Sequence, residues 1–125
     1  MISQELFQEM LKVENGKEFS VIDLPINYYG SKEGIKLYLY NNGENFDISD
    51  NGGTFATTGI DKEDFVSIAN EWSELFGFEL DGNKLVIKNI EKQYVLNAIN
   101  LMTQVIIILG DYATKGEHRI EPLYE

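Results

Sequence analysis

The segment from about Glu91 to Ala113 constrains the fold more than any other, because it reads as a helix that is apolar around most of its circumference. Two adjacent columns at 3.6-residue spacing, Tyr94/Ala98/Leu101/Val105/Ile108/Tyr112 and Val95/Ile99/Met102/Ile106/Leu109, are almost wholly apolar. Asn97, Asn100, Thr103, Gln104 and Asp111 leave it a narrow wet side. Such a helix must lie at the centre of a domain or pair with a second copy, so a homodimer through residues 91–113 is one expectation. Its longest unbroken apolar run is Val105–Leu109, which predicts no membrane span.

The material to cover that helix is strand-like. In Phe19–Leu24, Phe19 and Val21 point one way and Ile22 and Leu24 the other, until Pro25 is expected to end the ladder. After a turn-rich stretch over residues 27–34, Ile35–Tyr40 alternates cleanly, with Ile35, Leu37 and Leu39 on one face and Lys36, Tyr38 and Tyr40 on the other. Asn41-Asn42-Gly43 predicts a hairpin, Phe46 and Ile48 the returning strand, and Asp50-Asn51-Gly52-Gly53 its close. Phe78–Leu80 and Lys84–Lys88, around Asp81-Gly82-Asn83, read as a second hairpin.

Two further helices are expected. Met1–Val13 is amphipathic, with Ser3 as N-cap, Leu6, Phe7, Met10 and Leu11 as the stripe, and Gly16 as the stop. Asp61–Phe76 places Phe65, Ile68, Ala69, Trp72, Leu75 and Phe76 at helical spacing, with Asp61 as cap and Gly77 in the left-handed closing position. The order α-β-β-β-α-β-β-α makes an α+β domain, one sheet of about five mainly antiparallel strands with three helices. It spans residues 1–114, with residues 115–125 a loose tail. The chain of 125 residues suits one domain.

Charge narrows the function. The chain carries 21 acidic and 10 basic side chains, net −11, and no cysteine. Residues 44–81 hold Glu44, Asp47, Asp50, Asp61, Glu63, Asp64, Glu71, Glu74, Glu79 and Asp81 against Lys62 alone, net −9. This opposes direct binding to nucleic acid or to an anionic membrane and favours a protein partner with a basic surface. The absence of cysteine and of an export signal at the start leads us to expect a cytoplasmic setting.

Recognisable catalytic constellations are missing from the sequence. His118 is the sole histidine, and no phosphate-cradling glycine motif occurs. Asp47–Gly52 resembles the start of a calcium loop, but its twelfth position is Thr58 and its flanks are strands, so a hairpin end rich in positive φ explains it better. No catalytic residue, metal or cofactor is therefore expected. The candidate residues are partner-binding: Glu63, Asp64, Glu71 and Glu74 on one helix face, Asp47 and Asp50 beside the hairpin, and Tyr38 and Tyr40. The tyrosines are core if helices cover their sheet face and a contact patch if none does. A surface imitating duplex DNA would need about one charge per 1.7 Å, whereas the 61–76 helix offers roughly one per 5 Å, so other acids would have to lie beside it.

Val21–Gly53 (VIDLPINYYGSKEGIKLYLYNNGENFDISDNGG) resembles the bacterial and phage family called domain of unknown function 1828. That family shows a strand, a proline, a loop, a hairpin and an Asp/Gly turn, and its later half resembles Trp72–Tyr112. Ser49-Asp50-Asn51-Gly52 stands where the family more often has paired Asp before Gly. The resemblance implies a phage or mobile-element context, in which small acidic proteins inhibit host defence enzymes. At the level of element order the chain is also similar to type III secretion chaperones. The leading expectation is a non-catalytic acidic protein-binding module, in its narrower form an inhibitor of a nucleic-acid-handling defence enzyme of the anti-CRISPR or anti-restriction type. The alternatives are a chaperone-like dimer and a carboxylate-dependent hydrolase.

Overall fold

A computed structural model describes residues 12–15 and 19–120. Six strands form one sheet: β1 (Lys12–Asn15), β2 (Phe19–Asn27), β3 (Gly34–Asn42), β4 (Asn45–Ser49), β5 (Glu79–Asp81) and β6 (Lys84–Ile90). Their spatial order is β1-β2-β3-β4-β6-β5, and each neighbouring pair is antiparallel. Helices α1 (Gly53–Thr58) and α2 (Lys62–Phe76) separate β4 from β5, and α3 (Val95–Ile120) follows a 3-10 turn at Lys92–Tyr94. The α+β class and the single antiparallel sheet are those the sequence predicts.

The turns follow from backbone chemistry. Asn42 pairs with Asn45 and Asp81 with Lys84, leaving two-residue loops. Gly43 and Gly82 in these loops take φ of 66° and 64°, which side chains resist. Gly77 takes φ 76° after α2 and returns its N–H to the Ser73 carbonyl at 2.8 Å. Asp61 holds the N-cap position of α2 in an extended conformation, without a side-chain cap bond.

Three details differ from the sequence expectation. Lys12–Asn15 pairs with β2 as an edge strand where the first helix was expected to end, because the open side of β2 offers backbone partners. The remainder of that helix, with Ser3, Leu6, Phe7, Met10 and Leu11, lies outside the described residues. Pro25 does not end β2: the register shifts between Asp23 and Asn27, so the exposed proline sits where no regular ladder bond is required. Helix α3 runs to Ile120 rather than ending near Ala113, since an internal glycine such as Gly110 or Gly116 costs a helix only about 1 kcal/mol.

The core lies between the sheet and the helices. Ile22, Leu24, Ile35, Leu37, Ile48 and Leu85 point from the sheet toward Phe65 and Ala69 of α2 and Ile99, Met102, Val105, Ile106 and Leu109 of α3. By length and composition Lys92–Tyr112 is apolar enough to cross a bilayer. In this fold its apolar columns form the centre of the core instead. Leu75, expected in the α2 stripe, is 77% exposed, because it lies at the margin of the arc that faces α3.

Candidate binding face

All three described helices pack on the Ile/Leu face of the sheet, so the opposite face carries no described element. Strand alternation and register decide what it presents. Phe19 pairs with Tyr40 and Val21 with Tyr38, and across β3 Tyr38 pairs with Ser49 and Tyr40 with Asp47. Side chains directly opposite share a face, so Phe19, Val21, Tyr38, Tyr40 and Asp47 stand together. The Phe19 ring centroid is 5.8 Å from that of Tyr38 and 5.3 Å from that of Tyr40, both tilted. All three rings are half-buried.

Polar groups hold the margin of this patch. The Tyr40 hydroxyl accepts a hydrogen bond from Asn51 Nδ2 at 2.8 Å. Asp47 Oδ1 accepts from the Asn89 amide at 2.9 Å and from Asn42 Nδ2 at 3.2 Å, which secures the β6 irregularity where Asn89 takes φ 57°. Glu79 shares the open face with its register partner Val86, and its carboxylate lies 3.9 Å from Lys88 Nζ. The face thus mixes aromatic area with charges of both signs.

The structure joins Tyr38, Tyr40 and Asp47 and separates them from the other candidates. Glu63, Asp64, Glu71 and Glu74 are exposed on α2, in the helical layer on the far side of the sheet. Asp50 does not belong to any acidic surface. It is 1% exposed, with Oδ1 accepting from the Gly52 and Leu85 amides at 2.9 Å each and Oδ2 from the Thr54 amide at 3.2 Å. A buried carboxylate that holds three backbone donors acts as a structural staple. With Asp50 buried, Asp47 on the open face and Glu79 paired with Lys88, these three acids do not add a second row of charge beside α2.

Sequence reasoning did not single out Tyr28 as part of a site. Its backbone N–H donates to the Glu33 carbonyl at 2.9 Å, closing the β2–β3 loop, and its ring is 6% exposed. Beside it opens a cleft of about 390 Å³, lined by Tyr28, Glu33, Lys36, Tyr38, Asp50 and Asn51 among others. A Cβ at Gly53 would collide with the Tyr28 hydroxyl, so the glycine there admits the phenol. Burial, and then the nearby Asp50 carboxylate, push the Tyr28 phenol up to about 12, against an opposing backbone hydrogen bond from Lys36. The paired glycines after Asp50-Asn51 were the one sequence hint of a close approach.

Among the described residues no three His, Asp or Glu side chains converge as a metal site. The α3 columns expected to join two copies are largely enclosed within one chain, leaving Tyr94 52% and Ile108 37% exposed. No protein-family model matches this chain, no curated protein matches it, and no solved structure matches it.

Proposed function

We propose that this chain is a non-catalytic protein-binding module of a bacterium or its phage, acting in the cytoplasm and meeting its partner through the open sheet face. The observation that carries this reading is the half-buried Phe19–Tyr38–Tyr40 cluster on a face that no described element covers. Tyrosine and phenylalanine provide rigid contact area at low entropic cost, and tyrosine is enriched where interface energy concentrates. Six strands at about 4.8 Å spacing make the sheet roughly 24 Å wide, which suits the ~800 Å² that one side of a standard interface buries. A net charge of −11 favours a partner with a basic surface. The resemblance of Val21–Gly53 to domain of unknown function 1828 supports the bacterial or phage setting.

The narrower reading, an inhibitor of a nucleic-acid-handling defence enzyme, is favoured by the outward exposure of Glu63, Asp64, Glu71 and Glu74. At roughly one charge per 5 Å along α2, that helix can steer a basic partner more readily than it can imitate a duplex. The hydrolase alternative asks for paired carboxylates at a concave site. The cleft offers Asp50, whose oxygens are held by three amides, and Glu33 at its rim.

Capture of a partner from host lysate by the full chain tests the reading. Replacing Tyr38 and Tyr40 together with Ser is expected to weaken capture at least tenfold, with circular dichroism confirming the fold. Reversing Glu63, Asp64, Glu71 and Glu74 to Lys is expected to slow association and flatten its salt dependence while leaving the dissociation rate nearly unchanged. Capture that survives the tyrosine replacements but fails on charge reversal assigns binding to α2 and overturns the sheet-face reading.

A further inference from the structure

We propose that the cleft between the β2–β3 loop and the β4–α1 turn receives one arginine side chain of the protein partner. This rests on the sheet-face reading, because the cleft opens beside Tyr38 at the margin of the aromatic patch. Three features select a cation. The charged groups lining the cleft are Glu33, Asp50 and Lys36, two negative to one positive. The Asp50 carboxylate, 1% exposed, is held by its three amides, and Oδ2 accepts one of them, from Thr54, where a carboxylate oxygen can accept two hydrogen bonds. Two of the lining residues, Tyr28 and Tyr38, are aromatic, and aromatic rings attract cations.

Two further features favour guanidinium over ammonium. A volume of about 390 Å³ exceeds what a compact ion fills and accommodates a side chain that enters lengthwise. A planar guanidinium stacks on aromatic rings and carries five donors, whereas an ammonium is a strongly hydrated point charge. Its donors would meet Asp50 Oδ2 and the Glu33 carboxylate, both of which belong to lining residues. Lys36 stands at the rim as a competing cation, exposed and without an ion pair among the described residues.

The test uses the full isotope-labelled chain titrated with N-acetyl-arginine amide, N-acetyl-lysine amide and N-acetyl-citrulline amide, followed by amide chemical shifts. The arginine probe is expected to move the Lys36, Asn51 and Gly53 resonances saturably, with lysine weaker and neutral citrulline at least tenfold weaker. Lys36→Met should tighten arginine binding by about 2- to 5-fold and Glu33→Gln should weaken it by about as much, as one rim charge allows. Citrulline binding as well as arginine, weaker binding by Lys36→Met, or shifts confined to α2 each overturn the assignment. Partner capture that depends on Tyr38 and Tyr40 while the cleft ignores arginine overturns the cleft alone. An arginine response with a partner indifferent to both tyrosines overturns the sheet-face reading alone.

Discussion

Asp50 shows how one side chain can join segments that are distant in sequence. Its two oxygens take backbone amides from Gly52, Thr54 and Leu85, so it closes its own turn, anchors the start of α1 and ties β6 to the end of β4. Asp50→Ala would leave buried donors without acceptors, at about 1–3 kcal/mol for each unsatisfied group. A loss of at least 3 kcal/mol is expected from urea unfolding. Tyr28, facing this carboxylate, makes stability depend on alkaline pH. Its folded value of about 12 lies above the ordinary 10, so the unfolded chain gives up this proton first. The contribution is complete below about pH 10 and is lost as pH rises toward 12, on the order of 1 kcal/mol at pH 11. Tyr28→Phe cannot lose it. Relative to the native chain, the variant should therefore gain about that much between pH 8 and pH 11 in unfolding titrations.

The elements were legible where their repeat is long enough to have a period. Nine residues of β3 and fifteen of α2 carry unmistakable alternation and 3.6-residue spacing, and their turn glycines lie where φ is positive. β1, with four residues, and α1, with six, are too short to show either period. β2 was legible but misjudged at Pro25, because a register shift can absorb a proline that a regular ladder rejects. The C-terminus of α2 provides a test at this scale. Gly77 at φ 76° closes the helix and lets Phe78, 3% exposed, turn back into the core. Gly77→Ala should cost about 1 kcal/mol through the left-handed conformation, read as a lowered denaturant midpoint at unchanged slope.

At the scale of the whole molecule, the sheet divides a charge block that is continuous in sequence. Residues 44–81 send Asp47 and Glu79 to the open face, Asp50 into the interior, and Glu63, Asp64, Glu71 and Glu74 outward from α2. The tyrosine patch and the acidic helix therefore occupy opposite sides of the molecule. Sites so separated act additively, so combining the tyrosine replacements with α2 charge reversal should change partner affinity by the sum of the separate effects, measured as free energies. By itself the sequence determined the fold class, the long strands and helices, and which side chains share a face, because periodicity is a local property of the backbone. Only the tertiary structure decided which sheet face the helices cover, that Asp50 is a buried staple, and that Tyr28, Lys36 and Asp50 meet around one cleft. Those outcomes depend on contacts between distant segments, such as Asp50 with Leu85, and no local repeat encodes them.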